Sequence, residues 1–115
     1  MKLIKLKDTS KHNNSDNCIA TEYDFKDKDI DFATATIEGR YPGGGYCVNM
    51  EVKELIFVLE GEGELHKKDE VVAFKAGDAI LIEKGEAYYW IANCKVGMAC
   101  TPAWREEQHK MLDED

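Results

Sequence analysis

The chain has 115 residues, of which 43% are hydrophobic and 33% charged, and its formal net charge is −8. This length suffices for one domain with one core, and the composition excludes collagen-like and wholly disordered chains. A negative chain without a Lys/Arg cluster is a poor match for nucleic acid, so we expect no nucleic-acid partner.

The apolar runs are short. The longest, Leu55–Leu59, is far below the roughly 20 residues that cross a bilayer. Lysines interrupt the apolar positions of residues 1–7, which therefore do not resemble a signal peptide. We expect a cytoplasmic protein without a membrane partner.

The four cysteines have no CxxC spacing, and we expect reduced thiols that pack as small hydrophobic side chains. They are Cys18, Cys47, Cys94 and Cys100.

In chain order, residues 8–17 are polar without periodicity, which predicts a loop or a loosely ordered arm. Short segments rich in β-branched and aromatic residues follow, separated by Gly and charged residues, and no helix of normal length fits between them. This pattern predicts an all-β sandwich or barrel. The predicted strands are Phe32–Glu38, Tyr46–Met50, Glu54–Leu59, Glu62–His66, Val71–Lys75, Ala79–Glu83, Tyr88–Ala92 and Val96–Thr101.

The Glu54–Leu59 segment is apolar on both faces, with Leu55, Phe57 and Leu59 on one face. Such a strand is typically covered on both sides. The second cover is the N-terminal segment, the C-terminal tail or another subunit, and we predict a homodimer.

The last residues, 105–112, are good helix formers and predict one or two helical turns. The predicted organisation is an N-terminal arm (1–19), a barrel (20–104) and a C-terminal tail (105–115).

Two segments resemble the motifs of the cupin superfamily. Glu54, six residues and Gly61 match the second half of the first motif. Gly77 and Gly85 stand at the glycine positions of the second motif, and Gly61 and Gly63 are expected to permit a tight reversal between strands. The resemblance covers residues 32–101 and implies a double-stranded β-helix, or jelly-roll barrel.

Most of the metal-ligand residues that these motifs usually contain are replaced in this sequence. The positions of the His-x-His pair hold Cys47 and Asn49 in one register, or Val48 and Met50 in the other. Tyr88 replaces the histidine of the second motif, so that only Glu54 remains of the four ligands. One carboxylate does not hold a transition metal against water, so we expect no metal and no cofactor.

In the register that points Cys47 and Asn49 inward, five residues line the interior: Cys47, Asn49, Glu54, Tyr88 and Trp90. Two aromatic rings, an amide and a carboxylate suit a small polar organic ligand such as a sugar. Buried Glu54 would need a hydrogen-bond partner, for which Tyr88 is the candidate, or a raised pKa. The alternative is that these residues only form a hydrogen-bonded core.

The main functional hypothesis is therefore a small-ligand-binding cupin, with catalytic residues unknown. One alternative is an isomerase or lyase for a sugar or organic acid that uses Glu54 and Tyr88. A second is a metal-dependent enzyme with the non-standard ligands Cys47, Glu54 and His109. A third is an assembly module that uses the outer face of the Leu55–Leu59 strand. His12 and His66 are expected to be ordinary surface histidines, and Trp104 to pack against the barrel.

Overall fold

The computed structural model describes residues 1–113, which form nine strands in a strongly curved sheet and two short 3-10 turns, Leu6–Asp8 and Glu106–Gln108. The strands are β1 (Ser10–Ser15), β2 (Cys18–Tyr23), β3 (Asp31–Tyr41), β4 (Tyr46–Asn49), β5 (Lys53–His66), β6 (Val71–Lys75), β7 (Ala79–Ile82), β8 (Ala87–Thr101) and β9 (His109–Leu112). The predicted all-β jelly-roll architecture is confirmed. No helix in residues 1–113 is long and apolar enough to cross a membrane.

The long strand β8 organises the sheet. It pairs with β3 on one edge, from Asp31↔Cys100 to Tyr41↔Trp90, and with β5 on the other edge. The beginning of β8 also pairs with β4, which in turn pairs with β9. Strands β6 and β7 pair with β5, while β1 and β2 extend the sheet beyond β3. All inward side chains of β8 therefore face one interior.

The prediction of a loop at residues 8–17 is wrong for most of that segment, because residues 10–15 form β1. Its backbone pairs with β2, from Ser10↔Glu22 to Ser15↔Cys18. All but one of its residues are exposed at the edge of the sheet. An exposed edge strand needs no apolar alternation, so the hydrophobic pattern gave no strand signal.

The predicted reversal at Gly61 and Gly63 is also wrong, because both glycines lie inside β5. A Cβ on Gly61, which has φ +83°, would lie 2.0 Å from the carbonyl oxygen of Asn93. A Cβ on Gly63 would lie 2.3 Å from the Cβ of Ala92. The glycines therefore allow close approach of β5 to β8 rather than a turn. The two strands predicted for 88–92 and 96–101 are likewise one strand, β8.

The C-terminal tail contains only the 3-10 turn Glu106–Gln108 before it becomes strand β9. Pairing with the edge of β4 satisfies its backbone and overrides the helical propensity of the segment.

Along the first part of β5, side chains point alternately into the barrel and out to its surface. Ile56 and Val58 are fully buried, whereas Leu55 and Phe57 remain 53% and 49% exposed. Neither the N-terminal segment nor the described part of the tail covers these outward side chains.

Candidate functional site

A cavity of about 110 Å³ opens into one end of the barrel. Three parts of the chain enclose it: the β1–β3 region, the barrel strands β4, β5 and β8, and the tail. Its polar lining side chains are those of His12, Asn14, Glu22, Asp31, Tyr41, Asn49, Glu54, Tyr88, Trp90, Trp104 and His109, together with the thiols of Cys18 and Cys100.

Glu54 is the buried carboxyl group of this cavity, with 7% of its surface exposed. Its place on β5 between the partners Cys100 and Ile82 turns the side chain inward. The hydroxyl of Tyr88 donates to Oε1 at 3.4 Å, and the thiol of Cys100 donates to Oε2 at 3.6 Å. Burial raises the pKa of Glu54, and the two hydrogen bonds oppose that shift only in part.

Tyr88 is also buried, and desolvation raises its pKa well above 10, with the nearby Glu54 carboxyl acting in the same direction. Its hydroxyl therefore keeps its proton and serves as a donor. The hydrogen bond to Glu54 is the one that the sequence predicted.

Asn49 ties the tail to the barrel through one atom. Its Oδ1 accepts hydrogen bonds from Trp104 Nε1 at 3.3 Å, Gln108 Nε2 at 3.0 Å and His109 Nδ1 at 2.8 Å. An indole N–H only donates, which identifies the amide atom that faces it as the oxygen. Gln108, with 1% exposure, completes the attachment by accepting from the backbone N–H groups of Met50 and Glu51.

The hydrogen bond to Asn49 also sets the state of the His109 ring. Because the amide oxygen accepts, Nδ1 carries the proton, and in the neutral ring Nε2 is an acceptor. Burial lowers the pKa of His109, which favours that neutral form. The cavity is therefore lined by a neutral imidazole and by a carboxyl group that resists ionisation.

Two further carboxyl groups, those of Asp31 and Glu22, line the cavity. Asp31 accepts the backbone N–H of Trp104 at 2.9 Å, and burial raises its pKa while that hydrogen bond opposes the shift. Glu22 lies on the neighbouring strand β2, and His12 lies on β1. Among the described residues that line the cavity there is no Lys or Arg.

The structure brings together four of the five predicted pocket residues: Asn49, Glu54, Tyr88 and Trp90. Cys47 is not among the lining residues; it is 1% exposed, and its thiol donates to the carbonyl oxygen of Tyr88 at 3.5 Å. Burial raises the pKa of Cys47 to about 12, so the group is an inert part of the core. Of the two possible registers, the structure has the one in which Asn49 faces the cavity. Met50, which would point inward in the other register, is 50% exposed.

The sequence does not predict the part of the cavity wall that β1 forms, because residues 8–17 are polar without hydrophobic alternation. His12, expected to be an ordinary surface residue, lines the cavity, and so does Trp104. Within the barrel, alternation along β8 would have identified Cys100 as inward, two residues from Met98. Gln108 has no sequence signal, since a glutamine near a terminus is usually exposed.

The residues present do not fit a divalent metal ion. The Asn49 oxygen is already the acceptor of three N–H donors, and Cys47 points to a backbone carbonyl. Within residues 1–113 no three His, Cys, Asp or Glu side chains form a group that could hold a metal. The donor set around Glu54, a phenol and a thiol with raised pKa values, is likewise unsuited to one.

Comparison with known proteins agrees with this architecture. The Cupin domain family model matches residues 44–100. No curated protein sequence matches the chain. Solved structures share the barrel and little sequence, and at such identities the likeness concerns the fold.

Pac13, described as a nucleoside dehydratase, superposes with a TM-score of 0.87 at 15% identity, covering 98% of this chain and 92% of its own. The polyketide cyclase RemF from Streptomyces resistomycificus gives 0.74 at 16% identity, covering 100% and 87%. Ectoine synthase from P. lautus gives 0.72 at 16%, covering 100% and 92%.

The fold and the site define a cupin-type barrel with a polar interior cavity. The chain belongs to the cupin superfamily, and its barrel lacks the metal-binding histidines.

Proposed function

We propose that this protein binds a small, polar, non-anionic organic molecule in the barrel cavity, with Glu54 as the central recognition group. The observation that carries the proposal is the weak hydrogen bonding of a buried carboxyl group. The Tyr88 hydroxyl lies 3.4 Å from Oε1, beyond the usual range for an O–H donor, and the donor to Oε2 is the Cys100 thiol, which is a weak donor. A ligand hydroxyl or amine at normal distance would satisfy it better.

The charge of the cavity supports the non-anionic ligand class. Glu22, Asp31 and Glu54 line it, and no lysine or arginine among residues 1–113 does, so an anionic ligand would meet carboxyl groups without a cationic side chain from this part of the chain. Because burial raises the pKa of Glu54, a neutral polyol suits its protonated form, whereas an amine stabilises its ionised form. Phosphates and organic acids are disfavoured for the same reason.

Calorimetric titration with matched probes tests this proposal. The probes are glucose, glucosamine and glucuronate, which share one skeleton, and the pair uridine and uridine monophosphate. Uridine is included because a Streptomyces PAC13 variant has been solved with it. We expect the protein to bind neutral or amine probes and to bind neither glucuronate nor uridine monophosphate.

Two variants locate the binding. Glu54→Leu removes the carboxyl group and should weaken binding about 10-fold or more, corresponding to about 1.4 kcal/mol. Glu62→Gln changes an exposed carboxylate on the same strand and should leave the affinity unchanged. Equal affinity in Glu54→Leu, or preferential binding of the anionic probes, would contradict the proposal.

A second candidate function is proton-transfer catalysis, as in an isomerase or lyase. It is favoured by the opposite pKa shifts of two lining residues: burial raises the pKa of Glu54 and lowers that of His109. Such a pair provides a general acid and a general base at the same pH. His109 Nε2 would accept a proton from a substrate carbon, and Glu54 would donate one to a substrate oxygen. Tyr88, which keeps its proton, would orient Glu54.

NMR in D₂O tests this second function. Incubation with aldoses, ketoses and uridine should lead to deuterium at carbon or to loss of water from one of them. His109→Gln should lower that rate about 100-fold or more. His66→Gln, which changes a histidine outside the cavity, is the control. An unchanged rate in His109→Gln would exclude the assigned base.

A further inference from the structure

Two carboxyl groups of the cavity lie beside the same thiol. Asp31 on β3 and Glu54 on β5 are both register partners of Cys100 on β8, and all three residues line the cavity. The Cys100 thiol donates to Oε2 of Glu54 at 3.6 Å and also interacts with the Asp31 carboxyl group. The second side-chain donor to Glu54, the Tyr88 hydroxyl, is 3.4 Å away. Both carboxyl groups are therefore within reach of one small ligand group, and the buried one lacks a close donor.

The side chains that interact with these carboxyl groups are acids. In residues 1–113 the titratable groups that interact with Glu54 come from β2, β3, β4 and β8: Cys18, Asp31, Tyr41, Cys47, Tyr88 and Cys100. Asp31 also interacts with Asp24. Lys2 borders a neighbouring depression with Asp31, but its ammonium group donates to the carbonyl oxygen of Phe25 at 3.0 Å. Burial therefore raises the pKa of both carboxyl groups, and no cation of the described chain counters that effect.

The tail adds an acceptor to the same cavity. Trp104 Nε1 and His109 Nδ1 already donate to Oδ1 of Asn49, at 3.3 and 2.8 Å. The other ring nitrogen of His109, Nε2, is an acceptor in the neutral ring. Together with Asp31 and Glu54, the cavity lining thus offers carboxyl oxygens and an imidazole nitrogen as acceptors. An ammonium group complements such a lining, because it has three donors and no acceptor.

Aromatic rings complete the lining. The cavity contains the rings of Tyr41, Tyr88, Trp90 and Trp104. Trp104 is held at both ends, since its backbone N–H donates to Asp31 at 2.9 Å and its indole N–H donates to Asn49. The faces of aromatic rings attract cations, and those of tryptophan do so most strongly. Rings and carboxyl groups therefore favour the same ligand charge.

We propose that the ligand of the cavity is a small protonated amine, whose ammonium group lies between Asp31 and Glu54 and whose remainder contacts the aromatic rings. This inference rests on the proposed function and narrows it from non-anionic molecules to cations. One ammonium group balances one ionised carboxyl group, and its further N–H donors meet the second carboxyl group. The cavity of about 110 Å³ confines the remainder to a small molecule.

Calorimetric titration with matched pairs tests the inference at pH 7.5. Each pair shares a skeleton and exchanges one amino group for a hydroxyl group: 3-aminopropan-1-ol and propane-1,3-diol, 4-aminocyclohexanol and cyclohexane-1,4-diol, glucamine and sorbitol. The amines are protonated at this pH, because an alkyl amine has a pKa of about 10. We expect at least one amine to bind, about 10-fold or more tighter than its matched alcohol.

The outcomes separate this inference from the proposed function. An alcohol that binds as tightly as its matched amine overturns the amine assignment and leaves the binding of a polar, non-anionic molecule in place. Binding of glucose or uridine without binding of any amine has the same meaning. If none of these probes binds, both the amine assignment and the proposed function are wrong.

Two carboxyl variants locate the ammonium group. Asp31→Asn keeps an acceptor for the Trp104 N–H but loses the charge, and should weaken amine binding about 5-fold or more while the alcohol changes by less than about 2-fold. Glu54→Gln should have the same selective effect. In the wild type, amine affinity should rise between about pH 5 and 8 as Glu54 ionises, and Glu54→Gln should remove that rise.

Asp29→Asn is the matched control. Asp29 is exposed, lies two residues before Asp31 and is not among the lining residues, so this variant should leave the affinity for both members of a pair unchanged. Circular dichroism checks that the three variants fold. Equal losses for amine and alcohol in both Asp31→Asn and Glu54→Gln would show that these groups act only as neutral hydrogen-bond partners, which would overturn the inference.

Discussion

Replacing Asn49 with leucine tests the attachment of the tail to the barrel most directly. Leucine has similar volume but no acceptor, so the donors that now meet Oδ1 lose their partner. The two closer donors are Gln108 Nε2 at 3.0 Å, on a side chain with 1% exposure, and His109 Nδ1 at 2.8 Å. Trp104, whose Nε1 is farther away at 3.3 Å, and His109 both line the cavity, where water can replace the lost acceptor.

The magnitude follows from the enclosed Gln108 donor, whose side chain is 1% exposed. A buried donor without a partner costs about 1–3 kcal/mol, so Asn49→Leu should lower the free energy of unfolding by about 1–3 kcal/mol. Since small domains have about 5–15 kcal/mol in total, the effect is large. If the tail detaches before the barrel unfolds, the loss instead appears as local opening.

Two measurements together cover both outcomes. Urea unfolding, followed by tryptophan fluorescence, gives the midpoint and the slope m. Hydrogen exchange at the Met50 and Glu51 amides, which donate to Gln108, reports the local attachment. Met50→Leu, at a position 50% exposed, should change stability by less than about 0.5 kcal/mol. If Asn49→Leu stays within about 1 kcal/mol of the wild type and exchange is unchanged, Asn49 does not hold the tail.

Three further predictions concern protonation and packing. Because the pKa of Glu54 is raised, the folded state binds its proton more tightly than the unfolded chain does, and this group should lower stability as pH rises from about 4.5. Glu54→Gln should remove that decline in urea midpoints between pH 5 and 8, and an identical decline in the variant would refute the role of burial. The pKa of His109 is lowered, which has the opposite effect, so stability should fall as pH drops through about 6.5. At pH 7, ¹⁵N NMR should find a neutral ring with its proton on Nδ1, and a proton on Nε2 would contradict the hydrogen bond to Asn49. Gly63→Ala should lower the free energy of unfolding, measured by heat or urea, by about 1–3 kcal/mol because of the contact with Ala92. Gly43→Ala, with open space around it, should be neutral within about 0.5 kcal/mol, and equal effects of the two variants would mean that β5 and β8 are not in close contact.

The fold was largely predictable because its signals are local. Short strands, turn glycines and the spacing of Glu54, Gly61, Gly77 and Gly85 indicated a jelly-roll barrel, and the structure confirms it. The length of β5 was not predictable, because a glycine in a strand and a glycine in a turn have the same local pattern. Only the approach of the neighbouring strand, seen at Gly63, distinguishes the two.

The site was predictable in its centre and not at its edges. Glu54, Tyr88 and Trp90 sit on strands whose alternation fixes their direction. The walls contributed by His12 and His109 depend on β1 and β9, two edge strands that exist through pairing rather than through hydrophobic pattern. Contacts of this kind join residues about 60 positions apart, such as His109 and Asn49, and no local sequence pattern encodes them.

The continuity of β8 separates two properties of the molecule by residue parity. Its even-numbered side chains, such as Trp90, Met98 and Cys100, face the cavity, while odd-numbered ones such as Ala99 face outward. Substitutions at even positions therefore alter what the barrel can hold, and substitutions at odd positions alter what its surface can meet. A library of variants confined to the even positions of β8 would therefore vary the cavity and leave the outer surface of the strand unchanged.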